Sequence, residues 1–177
     1  MKKSVEEIGG LKKIVYEPYV DKRGGINKIY RSEIFDDLIP QVSEIYVSTS
    51  AKNTVRGLHY QHGLHGQDKL IYCVSGSILD ITVNLMPGPE YGTVNCVPLD
   101  AIEPIALLVP KYFAHGVISL EADSVFVSLN SEKYSPGNER GIRWNSLGLD
   151  INISDPIISE KDMAWPLLVD VLKEVAV

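Results

Sequence analysis

Residues 78–85 read Ile-Leu-Asp-Ile-Thr-Val-Asn-Leu. Apolar and polar side chains alternate along this stretch, the pattern of a β-strand with two unlike faces. Leu79, Ile81, Val83 and Leu85 share one face, and Ile78, Asp80, Thr82 and Asn84 share the other. Residues 124–130 repeat the pattern. Val125, Val127 and Leu129 face one way; Ser124, Phe126, Ser128 and Asn130 face the other. Polar groups recurring on one face of several strands predict either a solvated sheet face or a polar barrel lumen.

Further strands are predicted over 12–19, 41–49, 54–61, 69–75, 93–98, 104–109 and 113–120. Turn signals separate them: Ser75-Gly76, Pro87-Gly88-Pro89, Val109-Pro110 and Pro136-Gly137-Asn138. Many short strands with regular turns make an all-β sandwich or barrel. Helices are few. Residues 32–38 are expected to form a short one with Ser32 as N-cap. Residues 166–175 are expected to form another. Pro166 suits its first position, and Leu167, Leu168, Val171, Leu172 and Val175 make an apolar stripe. A single domain is expected over 1–177, with a helical tail over about 159–177.

The chain has 177 residues, 45% hydrophobic and 23% charged, with a net charge of −6. This composition suits a globular domain and lacks the basic footprint of a nucleic-acid binder. A few local arginines can still hold a phosphate. The opening Met-Lys-Lys-Ser-Val-Glu-Glu-Ile-Gly-Gly has no apolar core, so no signal peptide is expected. No apolar run is long enough to span a bilayer as a helix, so no membrane partner is expected. Cys73 and Cys96 both fall in apolar strand-like runs and read as buried free thiols, which fits a cytoplasmic protein, with a single disulfide between them as the alternative.

Residues 56–61 read Arg-Gly-Leu-His-Tyr-Gln. Asp21-Lys22-Arg23-Gly24-Gly25 lies upstream. Downstream come the 69–85 stretch beginning Lys69-Leu70-Ile71-Tyr72, Ala114-His115-Gly116, Tyr134-Ser135-Pro136 leading to Glu139, and Ile158-Ser159-Glu160-Lys161-Asp162. In this order and spacing the set resembles the dTDP-4-dehydrorhamnose 3,5-epimerase family, over roughly residues 12–168. The resemblance implies a double-stranded β-helix, the cupin jelly roll, and a homodimer. It also implies a 4-keto-6-deoxy hexose carried on a nucleoside diphosphate, and neither metal nor organic cofactor.

Epimerising a carbon beside a ketone requires a base, a group that stabilises the enolate oxygen, and an acid on the opposite side. By the resemblance, His59 is the base; an imidazole, with an ordinary pKa of about 6.5, suits that task. Asp162 would orient it. Lys69 would stabilise charge on the keto oxygen, with Asp80 positioning the lysine. His115 would be a second site histidine. Arg23 and Arg56 would bind phosphate, with Arg23 reaching across the dimer, and Glu139 and Lys161 would add substrate contacts.

The residues alone leave plainer readings open. Ser159-Glu160-Lys161-Asp162 is also a helix-start pattern with a capping residue. Asp80, Lys69, Arg23 and Arg56 can be solvated charges, and His115 an ordinary core or surface histidine. Strict alternation puts Arg56 and His59 on opposite faces, unless a bulge at Gly57 relaxes it. Three of the four histidines, His59, His62 and His65, lie close together. Residues three apart on a strand face opposite ways, however, so these are expected to be loop histidines rather than metal ligands.

The chain departs from the family in several places. Counting back from Tyr134, Ser128 stands where the family carries the tyrosine that donates the proton opposite the histidine. Gly25 and Lys28 replace an aromatic and a glutamate. Glu44 and Tyr46 replace a glutamine and an asparagine, Asn84 an aspartate, and Met86 an arginine. Tyr46 is the candidate for a replacement donor, ahead of Tyr72, which alternation places opposite Lys69. The readings that follow are double epimerisation at C3 and C5, single-centre epimerisation on a variant sugar nucleotide, and a catalytically silent sugar-nucleotide-binding cupin. A metal-dependent cupin enzyme is a more distant fourth.

Overall fold

The computed structural model describes residues 3–32 and 41–175. The helix expected over 32–38 lies, beyond Ser32, outside the described residues. Strands β1 (Lys3–Ile8) and β2 (Leu11–Tyr16) form a hairpin, as do the shorter β3 (Tyr19–Asp21) and β4 (Gly24–Ile26). Next come β5 (Glu44–Ser50), β6 (Val55–Gln61), β7 (Lys69–Ser75), β8 (Ser77–Asn84) and β9 (Val94–Asp100). β10 (Ile105–Val109), β11 (Phe113–Ser119), β12 (Ser124–Asn130) and β13 (Glu139–Gly141) complete the strands. Helices α1 (Glu160–Met163) and α2 (Leu168–Val175) follow.

The strands form two antiparallel sheets, ordered β1-β2-β10-β7-β12-β5 and β13-β6-β11-β8-β9. Apart from the β1–β2 and β8–β9 hairpins, strands from β5 onward pass alternately between the two sheets, so most neighbours in space are distant in sequence. That is the jelly roll. The run expected as one strand over 12–19 is split, because Pro18 has no N–H to give a ladder. β1, β4 and β13 carry too little alternation to be read from sequence.

Alternation on β8 places Ile78, Asp80, Thr82 and Asn84 between the sheets, all buried. Ser124, Phe126, Ser128 and Asn130 on β12 face them, also buried. The polar face is therefore a barrel lumen and not a solvated surface. Ile71, Cys73, Ile78, Phe113, Val117 and Phe126 belong to the apolar cluster that fills part of it. The other face of β8 is covered too. Ile81 and Val83 pack with Ile142, Leu147 and Val171 of the C-terminal segment. Cys73 is buried as expected, but Cys96 is exposed. Its strand β9 is the edge of its sheet, where outward side chains meet solvent. No described helix is long and apolar enough to cross a membrane.

Candidate active site

The site is built where β6 bends. β6 pairs with β11 through His59↔His115 and Arg56↔Val117, and the register shifts between them. One extra residue on β6 makes the bulge that was expected at Gly57. Gly57 has φ +99°, and a Cβ there would lie 2.6 Å from the His115 carbonyl oxygen. Only glycine fits this close approach. The bulge turns Arg56 and His59 toward the same cavity, of about 890 Å³.

α1 arrives from the far end of the sequence. Ser159 caps it by accepting from the Asp162 N–H at 3.1 Å. The capping reading and the orienting reading of this segment are both realised. The cap fixes the turn, and the Asp162 carboxylate meets β6. Its Oδ2 accepts from the Gly57 N–H at 3.0 Å, and its Oδ1 lies 2.6 Å from His59 Nε2. Burial raises the Asp162 carboxyl pKa, but the hydrogen bonds from His59 and Gly57 outweigh that and hold it below its ordinary value. An ionised carboxylate only accepts, so the proton sits on Nε2 and the lone pair on Nδ1.

A second carboxylate stands at the other ring nitrogen. Glu139 Oε1 is 3.7 Å from His59 Nδ1. Glu139 is buried, pairs with Lys161 and accepts from the Tyr134 hydroxyl at 2.8 Å. Burial raises its pKa, and the bonds from Lys161 and Tyr134 reverse this to a net lowering. Trp165 packs edge-on against the His59 ring with centroids 6.1 Å apart. Sequence reading missed Trp165 and the Tyr134–Glu139 bond. The Trp-Pro pair just after the Asp162 segment was the available signal for Trp165.

Lys69 enters from the opposite sheet. Burial pushes its ammonium pKa down, while Glu139, Asp80 and Glu44 act against the shift. Asp80 was expected to position this lysine. Its charge acts on Lys69, and its Oδ2 lies 2.7 Å from His115 Nε2, diagonally across the β8–β11 ladder. Both residues are buried, neither hydrogen bond partner is Lys69, and Asp80 lines neither of the cavities described here. Asp80 therefore braces His115, which does line the large cavity.

Arg56 is held against the cavity wall by Ser50 Oγ at 3.0 Å and the Thr49 carbonyl at 3.2 Å. Arg23 sits elsewhere, exposed on the β3–β4 hairpin and paired with Asp21 at 2.6 Å. A smaller adjoining cavity of about 320 Å³ is lined by Glu44, Tyr46, His59, Lys69, Tyr134 and Glu139, among others. His62 and His65 flank and end an exposed 3-10 turn and line neither cavity.

The dTDP-4-dehydrorhamnose 3,5-epimerase family model matches residues 6–170. The chain belongs to that family. It is 35% identical over 165 residues to dTDP-4-dehydrorhamnose 3,5-epimerase of Salmonella typhimurium, covering 88% of this chain and 90% of that one. The crystal structure of dTDP-4-dehydrorhamnose 3,5-epimerase from Sulfolobus tokodaii superposes with a TM-score of 0.89 at 36% identity, over 96% and 97% of the two chains. A 3'-monoepimerase from Streptomyces bikiniensis, solved with dTDP-quinovose, superposes with a TM-score of 0.86 at 27% identity, over 93% and 87%. The protein is thus an isomerase of the sugar-nucleotide epimerase class.

Proposed function

We propose that this epimerase inverts a carbon beside the ketone of a nucleoside-diphosphate 4-keto-6-deoxy sugar, with His59 as the base. The observation that carries the reading is the 2.6 Å contact between Asp162 Oδ1 and His59 Nε2, which leaves the Nδ1 lone pair to take a proton. Once protonated, the imidazolium has a carboxylate at each nitrogen, Asp162 at Nε2 and Glu139 at Nδ1. Lys69, on the facing sheet, stabilises the negative charge that moves onto the keto oxygen. The ketone itself acidifies the neighbouring C–H, so the step calls for no cofactor. His115, Arg56 and Lys161 line the large cavity and are assigned to substrate, Arg56 to phosphate. Glu139 contacts the smaller cavity, toward the sugar.

Arg23 is assigned to the phosphates of a partner's substrate in a homodimer. Arg23 lines neither cavity described here, which supports that reading, as do the exposed Tyr19, Val20, Ile26, Ile45 and Val47 on β3, β4 and edge strand β5. The free thiols Cys73 and Cys96 fit action in the cytoplasm as a single jelly-roll domain.

Inversion at one carbon only is the second reading, favoured by Ser128, whose alcohol is a poor acid. The test is to incubate the protein with dTDP-4-keto-6-deoxyglucose, trap the keto sugar by reduction and read its stereochemistry. Products inverted at C3, C5 or both are expected. Recovery of unaltered configuration from every nucleotide form tried would overturn the proposal.

A further inference from the structure

Removing a proton from one face of a carbon and returning one to the other needs an acid facing the base. His59 belongs to the five-stranded sheet, on β6. The acid must therefore come from the six-stranded sheet, across the lumen. Among the described residues, three line both adjoining cavities: Tyr46, His59 and Lys69. Tyr46 and Lys69 stand on the six-stranded sheet, on β5 and β7. A base, a cation and a phenol thus share the junction of the two cavities, with the phenol on the wall opposite the base.

The neighbours of Tyr46 hold it there. Tyr46 and Ser128 are directly paired residues of the antiparallel β5–β12 ladder, so their side chains project to the same face side by side. Ser128 is fully buried, and its hydroxyl donates to Asn130 Oδ1 at 2.9 Å. A small side chain at 128 leaves the room that the ring of Tyr46 takes. The ring packs edge-on against Phe126, with centroids 6.3 Å apart. Tyr46 is 39% exposed, so substrate can reach it. Its low-dielectric setting raises the phenol pKa, and the Ser128 hydroxyl only partly offsets this, so the group stays protonated and able to donate.

Three other phenols already hold hydrogen-bond partners. Tyr134 donates to Glu139 at 2.8 Å. Tyr72 accepts from Asn27 on the outer side of its sheet, and Tyr16 donates to the Ile29 carbonyl.

We infer that Tyr46 is the acid that completes inversion, returning a proton to the face opposite His59. This rests on the proposed function above. The His59 step breaks the C–H bond beside the ketone, sends the proton to Nδ1, and moves the electron pair into the enolate. The Tyr46 step breaks its O–H bond, forms a C–H bond on the other face, and leaves a phenolate. Solvent then takes the proton from His59 and reprotonates Tyr46, which balances the cycle.

The test is Tyr46→Phe, which keeps the ring and its packing. With dTDP-4-keto-6-deoxyglucose in deuterated water, inverted product is expected to fall about 10²-fold or more. Exchange of the α-hydrogen through His59 is expected to persist, with substrate affinity little changed. Inversion at the wild-type rate in Tyr46→Phe would overturn the role. So would equal loss of exchange and inversion at unchanged affinity.

A measurement on the wild-type protein keeps the inference testable should the variant fold poorly. In a single turnover in deuterated water, a separate acid gives inverted product with solvent deuterium at the new centre. Inverted product that keeps the substrate's own hydrogen would show His59 acting alone. A wild-type protein that neither exchanges nor inverts would overturn the function itself, whereas an active one with a neutral Tyr46→Phe overturns only the role of Tyr46.

Discussion

Asp162 Oδ1 lies 2.6 Å from His59 Nε2, although 103 residues separate them along the chain. The same carboxylate accepts from the Gly57 N–H at 3.0 Å, two residues before the histidine. One side chain thus fixes both the bulge that aims His59 and the nitrogen that carries its proton.

The first consequence concerns that carboxylate. Asp162→Asn keeps the shape but no longer requires a donor at Nε2. The expected result is a fall of about 10²-fold or more in kcat, on the scale of general-base catalysis, with a smaller change in KM. Steady-state kinetics at neutral pH check this. A change in KM alone would assign Asp162 to substrate binding.

Acid should dissolve the same interaction. The Asp162 pKa is below its ordinary value, so its contribution to stability is complete above about pH 3.9, the unfolded value. That contribution is lost as pH falls through the lower folded value. Urea unfolding of the native protein and of Asp162→Asn is expected to show a stability gap at pH 7 that narrows below pH 3.9. A gap that widens on acidification would contradict the assignment.

Lys69 is expected to trade stability for chemistry. Burial lowers its pKa, so the fold disfavours its charge. Lys69→Met is expected to leave thermal stability unchanged or raised, while turnover falls about 10²- to 10³-fold, the scale of an oxyanion-hole donor. Thermal melts and kinetics on one preparation decide. Loss of stability with turnover retained would reverse both parts.

Gly57→Ala tests the bulge. At φ +99°, with a Cβ 2.6 Å from the His115 carbonyl oxygen, alanine is expected to cost more than about 1 kcal/mol of stability. Because His59 is aimed by that bend, activity should fall in the fraction that still folds. An alanine variant with native stability and rate would show that the bulge relaxes without consequence.

These expectations draw unequally on sequence and structure. Period-two alternation on β8 and β12 placed Asp80, Thr82, Ser128 and Asn130 on one face correctly. It could not tell lumen from solvent, because that depends on a second sheet whose strands come from distant stretches. The glycine in Arg56-Gly57-Leu58-His59 signalled a bulge, since a strict strand could not turn both polar side chains inward. The Asp80–His115 contact was not legible because it depends on ladder register, which pairs β8 with β11 and brings His115 within reach. Cys96 misled because an apolar run does not reveal that its strand is a sheet edge. Glu139 and Lys161 were named from the resemblance and the Trp-Pro pair was a signal for Trp165, but their contacts with Tyr134 and His59 arise from chain returning over β6, a non-local event.

The most direct test of the central claim is proton exchange followed by ¹H NMR in deuterated water with dTDP-4-keto-6-deoxyglucose, comparing the native protein with His59→Ala. The native protein is expected to replace the hydrogen at C3, C5 or both with deuterium. His59→Ala is expected to bind the nucleotide sugar with exchange slowed by about 10²- to 10⁴-fold. Exchange at the native rate in His59→Ala would contradict the account, because the proton would then be leaving through another group.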